Sequence, residues 1–192
     1  ILTGLNEAFI IDRNLKDILI EKDLKNKKII VPLLRGRDIE PYIVNFADKW
    51  LINVHNGVKD KGIQRVDIDE YPIIKNHLNK FYSNLLKRND KGDTEYNLRN
   101  CAYLESMNKD KVVWGEKGYL KFTFVSSEYF IDKTLFMITG SINKKVLCSY
   151  LNSKLISFYF YHTVPLLGEK GLSMTKVEVE QVPVIDFDKS EI

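Results

Sequence analysis

Cysteine and histidine are scarce in this sequence of 192 residues, which has two cysteines and three histidines. Two cysteines cannot build the disulfide framework of a small secreted protein, so a reducing cytoplasm suits the composition best. Neither Cys101 nor Cys148 belongs to a paired motif, and no two histidines have the spacing of a zinc site. The sequence therefore predicts a cytoplasmic protein with no metal centre of its own.

Motifs for catalysis on nucleotides or nucleic acids are also missing. The chain has no Asn-Pro-Pro-Tyr or Asp-Pro-Pro-Tyr, which aligns a target adenine, and no Gly-x-Gly turn for S-adenosylmethionine or Gly-Lys-Ser/Thr loop for ATP. The only formal match to the acid-x-lysine pattern of metal nucleases, Asp23-Leu24-Lys25, lies in a lysine-rich segment typical of a helix boundary. His55-Asn56 has no second histidine nearby, and a histidine in a turn explains it. We therefore predict no catalytic residue.

Long apolar runs are absent, and no signal-peptide pattern opens the chain, so no membrane partner is expected. A hydrophobic fraction of 44% and an aromatic fraction of 11% are enough to bury a core. The length is typical of one domain, and the first residues are Ile-Leu-Thr without an initiator methionine. We expect residues 1–192 to be a single domain from a longer protein.

The net charge is only +3, but it is unevenly distributed. The segment from Arg13 to Arg37 has eight Lys or Arg against three acids, whereas the segment from Glu178 to the end has five acids against one lysine. One interpretation is a polyanionic partner on the basic face. The alternative is that the lysine-rich helices are simply solvated.

Hydrophobic periodicity predicts an α+β fold, with helices flanking a twisted, largely antiparallel central sheet. Strands are predicted at Ala8–Ile11, Ile29–Val31 (ended by Pro32), Trp50–Val54, Lys111–Trp114, Leu120–Phe124 and Leu135–Ile138. Helices are predicted after a cap at Asp12, from Pro72 to Arg88 and from Asn143 to His162. Around Thr175 the pattern fits either a capped helix or a strand.

The segment Leu34-Arg35-Gly36-Arg37-Asp38-Ile39 places two arginines on either side of a glycine. A glycine at a tight turn lets the backbone approach a partner closely, and each guanidinium is a planar fork of donors. This arrangement suits phosphates or guanine edges, although such turns also occur on ordinary solvated surfaces.

The order of several blocks is more specific than the arginine turn alone. The sequence resembles the TaqI-like specificity domain, the target-recognition module of adenine methyltransferases and fused restriction-modification enzymes. The blocks that carry the resemblance are Thr3–Ile11, Leu34–Ile39, Tyr71–Leu78, Lys91–Thr94, Leu98–Tyr103, Leu151–Leu155 and Val182–Val184. The part that varies within the family, after Lys111–Trp114, is short here.

The resemblance implies a fold of the target-recognition-domain type and a role in choosing the DNA sequence. It implies a parent enzyme that methylates adenine at N6 with S-adenosylmethionine, and that uses Mg²⁺ if it also cuts. The expected partners are double-stranded DNA and the methyltransferase domain of the same chain. The fragment itself is expected to hold no cofactor.

Eleven residues are predicted to contact DNA. Arg35 and Arg37 are suited to phosphates or to guanine O6 and N7, unless one of them pairs with Asp38 or Glu40 to hold the turn. Four more follow the long predicted helix in a polar loop, where asparagine can read adenine and arginine guanine: Thr94, Tyr96, Asn97 and Arg99. The alternative is a loop folded onto its own scaffold.

The remaining candidates lie in the second half of the chain. Lys117 and Lys121 flank a strand-like stretch that a ribbon would present to a groove, although outward lysines are also ordinary on a soluble sheet. Lys170, Ser173 and Lys176 lie close to two glycines and suit backbone phosphates.

The closing helix, residues 143–162, carries the aromatic run Phe158-Tyr159-Phe160-Tyr161. We expect it to pack on the core or on the methyltransferase domain, because such runs more often form core and interface than base-stacking surfaces. Three other functions stay open: a docking module that does not touch DNA, half of a Type I specificity subunit, and a free-standing nuclease.

Overall fold

The computed structural model describes residues 1–168 and 171–184. The strands are β1 (Ile10–Asp12), β2 (Ile30–Leu34), β3 (Ile39–Glu40), β4 (Ile43–Val44), β5 (Lys49–Ile52), β6 (Lys111–Gly115), β7 (Lys117–Gly118), β8 (Thr123–Val125), β9 (Phe130–Ile131), β10 (Leu135–Ile138) and β11 (Leu172–Ser173). The α-helices are α1 (Asn6–Phe9), α2 (Arg13–Lys22), α3 (Pro72–Asn79), α4 (Tyr82–Lys87), α5 (Leu104–Met107), α6 (Lys144–Leu151), α7 (Lys154–Thr163) and α8 (Lys176–Glu180). Short 3-10 helices occupy Leu24–Lys28, Gly36–Asp38, Lys59–Lys61 and Ile68–Glu70.

Four strands form the first sheet, in the order β1-β5-β2-β9. The pairs β1–β5 and β2–β5 are antiparallel, and β2–β9 is parallel. A second, antiparallel sheet has the order β10-β6-β8, and two ribbons, β3–β4 and β7–β11, complete the strand pairing. The predicted α+β fold is confirmed, with the strands divided among several small sheets.

Strand β6 connects the two hydrophobic cores of the molecule. Alternate side chains of a strand point to opposite faces, and here Val113 joins one core while Val112 and Trp114 join the other. The first core packs the four-stranded sheet against α3, and the second packs β6 against α6 and α7 through Leu147 and Phe160. The strand predicted at Lys111–Trp114 is therefore confirmed, and both of its faces are buried.

Strand β2 continues through Pro32, where the sequence predicts its end. Proline lacks the amide hydrogen that a central strand needs on both sides. Residues Ile30 to Pro32 pair with β5, and Leu33 and Leu34 pair with β9. Pro32 lies where one partner strand succeeds the other, so the strand tolerates it.

Each of the two long predicted helices is broken into two short ones. Between α3 and α4, the amides of Lys80 and Phe81 bond to carbonyls three residues back, which tightens the turn and redirects the chain. Between α6 and α7, the Asn152 side chain bonds to the backbone of Phe122, and Ser153 then caps α7 by accepting from the Ile156 amide across 3.3 Å. A tertiary contact and a new cap thus override the helical periodicity.

Smaller differences occur at the two ends of the described chain. The segment predicted as a strand at Ala8–Ile11 is the end of α1 followed by β1. Asp12 caps α2 as predicted, accepting from the Leu15 amide at 2.9 Å. Thr175 precedes α8, and its hydroxyl donates to the Glu178 carboxylate, so the helical alternative is confirmed there. No helix within residues 1–168 and 171–184 is long and apolar enough to span a bilayer.

Candidate nucleic-acid interface

The arginine turn is a 3-10 helix over Gly36–Asp38. Arg35, the residue just before it, bonds to Asp38, the last residue of the helix. The Arg35 guanidinium donates to both carboxylate oxygens of Asp38, with Nε–Oδ2 at 2.8 Å and Nη2–Oδ1 at 3.0 Å. The Arg35 amide donates to the same carboxylate at 2.9 Å, and Asp38 is only 3% exposed. The hydrogen bond to Asp38 raises the pKa of Arg35. This geometry favours the alternative in which one arginine holds the turn.

Lys121 and Thr134, which are distant in sequence, form hydrogen bonds with the backbone of the arginine turn. The Lys121 ammonium donates to the carbonyl of Gly36 at 3.1 Å and to that of Ile39 at 3.0 Å. The Gly36 amide donates to the Thr134 hydroxyl at 2.8 Å, and a Cβ at position 36 would lie 3.1 Å from that oxygen. Lys121, predicted to contact DNA from a strand face, therefore uses two of its three donors inside the protein.

Arg37 is exposed, unlike Arg35 and Lys121. Within the described residues, its guanidinium forms no hydrogen bond or ion pair. Its backbone belongs to a turn fixed by Asp38, Lys121 and Thr134. A free, planar, charged group on a fixed backbone is preorganised to meet an anion or a base edge.

The β7–β11 ribbon brings two of the predicted residues side by side. Lys117 pairs directly with Ser173, and Gly118 with Leu172. Gly118 has φ +125° and Gly171 has φ +87°, and a Cβ at Gly171 would lie 2.4 Å from the Gly118 carbonyl oxygen. Lys117 is exposed, whereas Ser173 is partly buried. Lys170, the predicted residue next to Gly171, lies outside the described residues.

The ribbon and the arginine turn are neighbours in space. Thr134 holds Gly36, and a Cβ at Gly115 would lie 4.0 Å from the Thr134 carbonyl oxygen and 3.8 Å from that of Lys117. Lys133, beside Thr134, is exposed. Arg37, Lys117 and Lys133 therefore belong to adjoining segments, which also carry Glu116 and Asp132, and we call these three basic residues the cationic face. Sequence reasoning did not single out Lys133, because nothing local relates it to the arginine turn.

The polar loop after α4 folds inward onto Arg88. The buried Arg88 guanidinium donates to the carbonyls of Asp90 (3.0 Å) and Glu95 (2.9 Å), and also to those of Thr3 and Asn97. Its charge lies over the Phe9 ring, 4.6 Å from the centroid. Burial lowers the pKa of Arg88 to about 10. The sequence placed Arg88 only at the end of a helix and gave no sign of this role.

Three residues of that loop that were predicted to contact DNA, Thr94, Tyr96 and Asn97, form hydrogen bonds within the protein instead. Asn97 is 2% exposed, and its amide donates to the carbonyl of Val66 at 3.0 Å while its oxygen accepts from Thr94 at 2.6 Å. The Tyr96 hydroxyl donates to Asn79 at 2.6 Å, and its ring is buried. This geometry favours the alternative of a loop folded onto its own scaffold, and it leaves Asn97 no free group with which to read adenine.

Arg99 and Lys176 remain at the surface. The Arg99 side chain is 61% exposed and lies 3.2 Å from Asp90, and the Lys176 side chain is 69% exposed and lies 3.4 Å from Glu180. Exposed pairs of this kind contribute about 0–1 kcal/mol, so both cations can exchange their carboxylates for phosphates.

Three exposed apolar side chains also lie beside the arginine turn, and sequence reasoning did not select them. Tyr42 and Ile43 are each 56% exposed at the tip of the β3–β4 hairpin, and Tyr119 is 72% exposed after β7. Proline is favoured at the first central position of a turn, so Pro41 could have indicated the tip.

His55 and His77, two of the three histidines, form hydrogen bonds within the scaffold. Within residues 1–168 and 171–184, no three His, Cys, Asp or Glu side chains are grouped closely enough to hold a metal ion. His55 accepts from the Gly57 amide at 3.1 Å, and burial lowers its pKa. His77 lies 3.0 Å from the Ala8 carbonyl, and burial lowers its pKa too. Both histidines are neutral structural groups near pH 7.

An α+β scaffold that presents cations from a fixed turn and a short ribbon is the architecture of a binding module. The chain belongs to the family described as TaqI-like C-terminal specificity domains, whose model matches residues 31–184. The resemblance found in the sequence is confirmed, although its opening block, Thr3–Ile11, lies before the matched region.

A solved structure with the same fold is that of the Type IIL restriction-modification enzyme MmeI in complex with DNA. The match has a TM-score of 0.60 and 11% sequence identity, and it covers 90% of this chain. The chain corresponds to about a fifth (21%) of the MmeI chain. None of the curated proteins matches this chain.

Proposed function

We propose that this chain is the double-stranded DNA recognition module of a restriction-modification enzyme, and that it directs adenine-N6 methylation carried out by another domain. The observation that carries the proposal is the state of Arg37, which is exposed and unpaired within the described residues on a turn fixed by three other side chains. Membership of the specificity-domain family supports it. The MmeI structure, which has the same fold, contains DNA.

The two arginines of the turn have different roles in this proposal. Arg35 neutralises a buried carboxylate and so holds the backbone, and Arg37 uses that backbone to reach DNA. Because an arginine fork can donate to a phosphate or to guanine O6 and N7, Arg37 positions the module, reads a base, or does both. Lys117 and Lys133, on the adjoining segments, add positive charge, which favours a polyanion over a neutral partner.

The methyltransferase domain of the same chain is the second partner in this proposal. Helix α7 exposes Leu155 (64%), Phe158 (63%) and Tyr161 (51%), which are spaced by three residues and share one face. An exposed apolar face of this kind marks a protein contact. S-adenosylmethionine, and Mg²⁺ for an enzyme that cuts, bind in the parent enzyme, which acts in the cytoplasm.

The same α7 face favours a second candidate function, a docking module that makes no DNA contact. The two functions predict opposite results for binding to duplex DNA. Half of a Type I specificity subunit is a variant of the leading proposal, because it binds DNA in the same way.

Fluorescence anisotropy with a labelled duplex of mixed sequence, measured over a range of salt concentrations, tests the proposal. We expect binding at low salt that weakens as salt rises, because each neutralised phosphate releases counterions. Arg37→Ala should weaken binding and reduce the slope of log K against log [salt] by about 1 if Arg37 contacts a phosphate.

Lys87→Ala is the matched control. Lys87 is exposed at the end of α4, is not one of the predicted contact residues, and its replacement removes one positive charge, as that of Arg37 does. It should change neither the affinity nor the slope. Absence of duplex binding at low salt, or equal effects of the two substitutions, would contradict the proposed function and favour the docking module.

A further inference from the structure

The β3–β4 hairpin ends in an apolar tip that the proposed function does not yet use. Glu40 pairs with Ile43, so Pro41 and Tyr42 form a two-residue turn. Pro41, Tyr42 and Ile43 are all exposed, the last two at 56% each. Three consecutive apolar residues at a hairpin tip are costly in water and indicate a contact.

The backbone of this tip suits glycine better than tyrosine. Tyr42 has φ +67°, in the left-handed region, and the second central position of a turn that begins with proline ordinarily takes Gly or Asn. A bulky aromatic residue there is a strained choice, and such strain tends to lie at functional positions. Glycine would form the turn more easily, so the tyrosine ring is not needed for the turn itself. We infer that the ring serves a contact.

The tip is rigidly supported by the same elements that support Arg37. The Tyr42 amide donates to the Phe122 carbonyl at 3.1 Å, and the Thr123 hydroxyl donates to the Glu40 carbonyl at 2.6 Å. Below the tip, Asn45 donates to the Asp38 carbonyl at 2.8 Å, which ties the hairpin to the arginine turn. Arg37 and Tyr42 therefore keep a fixed relative position, so a duplex held by Arg37 meets the tip in one orientation.

The charges around the tip favour bases over phosphates as its partner. Glu40 is exposed on the strand opposite Ile43, and its carboxylate repels the DNA backbone. Tyr119, three residues before Phe122 in sequence, carries another exposed ring (72%).

We propose that Pro41, Tyr42 and Ile43 form a wedge that enters an opened base step of duplex DNA, and so stabilises a partly unstacked duplex. Apolar side chains inserted between bases unstack and kink DNA in other proteins. An enzyme that methylates a base must first extrude it from the duplex, and opening a step lowers the cost of doing so. This inference rests on the proposed function, and it assigns to the module a part in the extrusion as well as in the choice of sequence.

Binding to an intact duplex and to one with an abasic site tests the wedge without knowledge of the recognised sequence. Two duplexes of the same mixed sequence are compared, one intact and one with a central abasic site, where a wedge enters without unstacking a base. We expect the whole chain to bind the abasic duplex at least about 5-fold more tightly, since insertion there avoids the unstacking cost. Tyr42→Gly together with Ile43→Ala should bring this ratio to about 1, while binding to the intact duplex changes little.

Two further variants test whether the preference for the abasic duplex depends on the Tyr42 ring in particular. Tyr42→Gly alone removes the ring and relieves the left-handed strain, so it should fold at least as stably as the natural chain and still lose most of the preference. Tyr82→Ala removes another exposed ring (41%) from α4 and should keep the full preference.

The possible outcomes separate the wedge from the proposed function. If the natural chain binds both duplexes equally, or if the tip variants keep its preference, the wedge is overturned while DNA recognition stands. If the tip variants lose affinity for both duplexes in the same proportion, the tip is an ordinary contact surface and the wedge is again overturned. If the natural chain binds neither duplex at low salt, the proposed function fails.

Discussion

The ammonium of Lys121 donates a hydrogen bond to the carbonyl of Gly36, which lies 85 residues earlier in the chain, at 3.1 Å. A second bond, to Ile39 at 3.0 Å, makes Lys121 a clamp across the arginine turn. The segment after β7 and the turn that presents Arg37 are therefore one unit. Through this contact, we expect Lys121 to affect DNA binding without touching DNA.

Replacement of Lys121 by methionine should weaken duplex binding through the turn. The loss of two charge-assisted bonds to carbonyls should loosen the backbone of Arg37 and cost about 1–2 kcal/mol of affinity, or roughly 5-fold to 30-fold. The salt slope should not change, because the Lys121 ammonium neutralises no phosphate. Fluorescence anisotropy over a salt series measures both quantities.

Lys117→Met is the matched comparison for Lys121, because it lies four residues earlier and its side chain is exposed. It should reduce the salt slope by about 1 if Lys117 contacts a phosphate. A reduced slope for Lys121→Met would mean that its ammonium reaches DNA, contrary to the position seen here.

The two arginines of the turn should respond differently to substitution. Arg35→Ala leaves the buried Asp38 carboxylate without its partner and should lower the free energy of unfolding by about 3–5 kcal/mol. Arg37→Ala removes an exposed side chain and should change it by no more than about 0.5 kcal/mol. Urea denaturation followed by circular dichroism measures both.

A double-mutant cycle with Asp38→Ala supplies the control for Arg35. Because the two side chains touch, the cycle should give a coupling energy of about 1–3 kcal/mol. Equal effects of Arg35→Ala and Arg37→Ala on stability would contradict the division of roles.

Much of the local structure could be predicted from the sequence. The cap at Asp12 and the strand at Lys111–Trp114 depend on neighbours in sequence, and the structure confirms them. The family model matches the blocks within residues 31–184. The breaks at Phe81 and Asn152 were not predictable in this way, since a helical pattern continues through both. At Asn152 the cause is a bond to Phe122, which lies 30 residues away.

The candidate site was less predictable than the fold, because a residue type does not reveal which way its side chain turns. Asn97 and Arg99 lie two residues apart in one polar loop, yet one is buried and the other is exposed. The difference comes from Arg88, whose donors bind the loop carbonyls and turn Asn97 inward. Only the tertiary structure identifies Arg88 as the centre of this loop.

Arg88→Lys should loosen the loop and destabilise the protein. A lysine keeps the charge, but one ammonium cannot reach the four carbonyls that the guanidinium fork binds. We expect a loss of about 2–4 kcal/mol in the free energy of unfolding, with an unchanged m-value. Limited proteolysis should show faster cleavage within residues 89–99, because the loop would open locally.

Arg99→Lys is the corresponding control in the same loop. Its side chain is 61% exposed and pairs only with Asp90 within the described residues, so stability should change by less than about 0.5 kcal/mol. Similar losses for Arg88→Lys and Arg99→Lys would show that the loop does not depend on the buried fork.

Lys111 should make stability depend on pH in the alkaline range. It is fully buried, its ammonium donates to the carbonyls of Ser126 (3.1 Å) and Tyr129 (3.0 Å), and burial lowers its pKa to about 8. The unfolded chain has the ordinary lysine value near 10.4 and so binds more protons between these two pH values. The free energy of unfolding contributed by Lys111 must therefore rise with pH across that window.

Comparison with Lys111→Met isolates this contribution, because the buried cysteines and tyrosines titrate in both proteins and cancel. The free energy of unfolding of the natural chain minus that of Lys111→Met should rise by about 1.4 kcal/mol per pH unit above pH 8, and by on the order of 3 kcal/mol in all. Urea denaturation at several pH values between 7 and 10.5 gives the difference directly. A flat difference for Lys111→Met would mean that the ammonium is as well solvated in the folded protein as in the unfolded chain, which is incompatible with its burial beneath Ser126 and Tyr129.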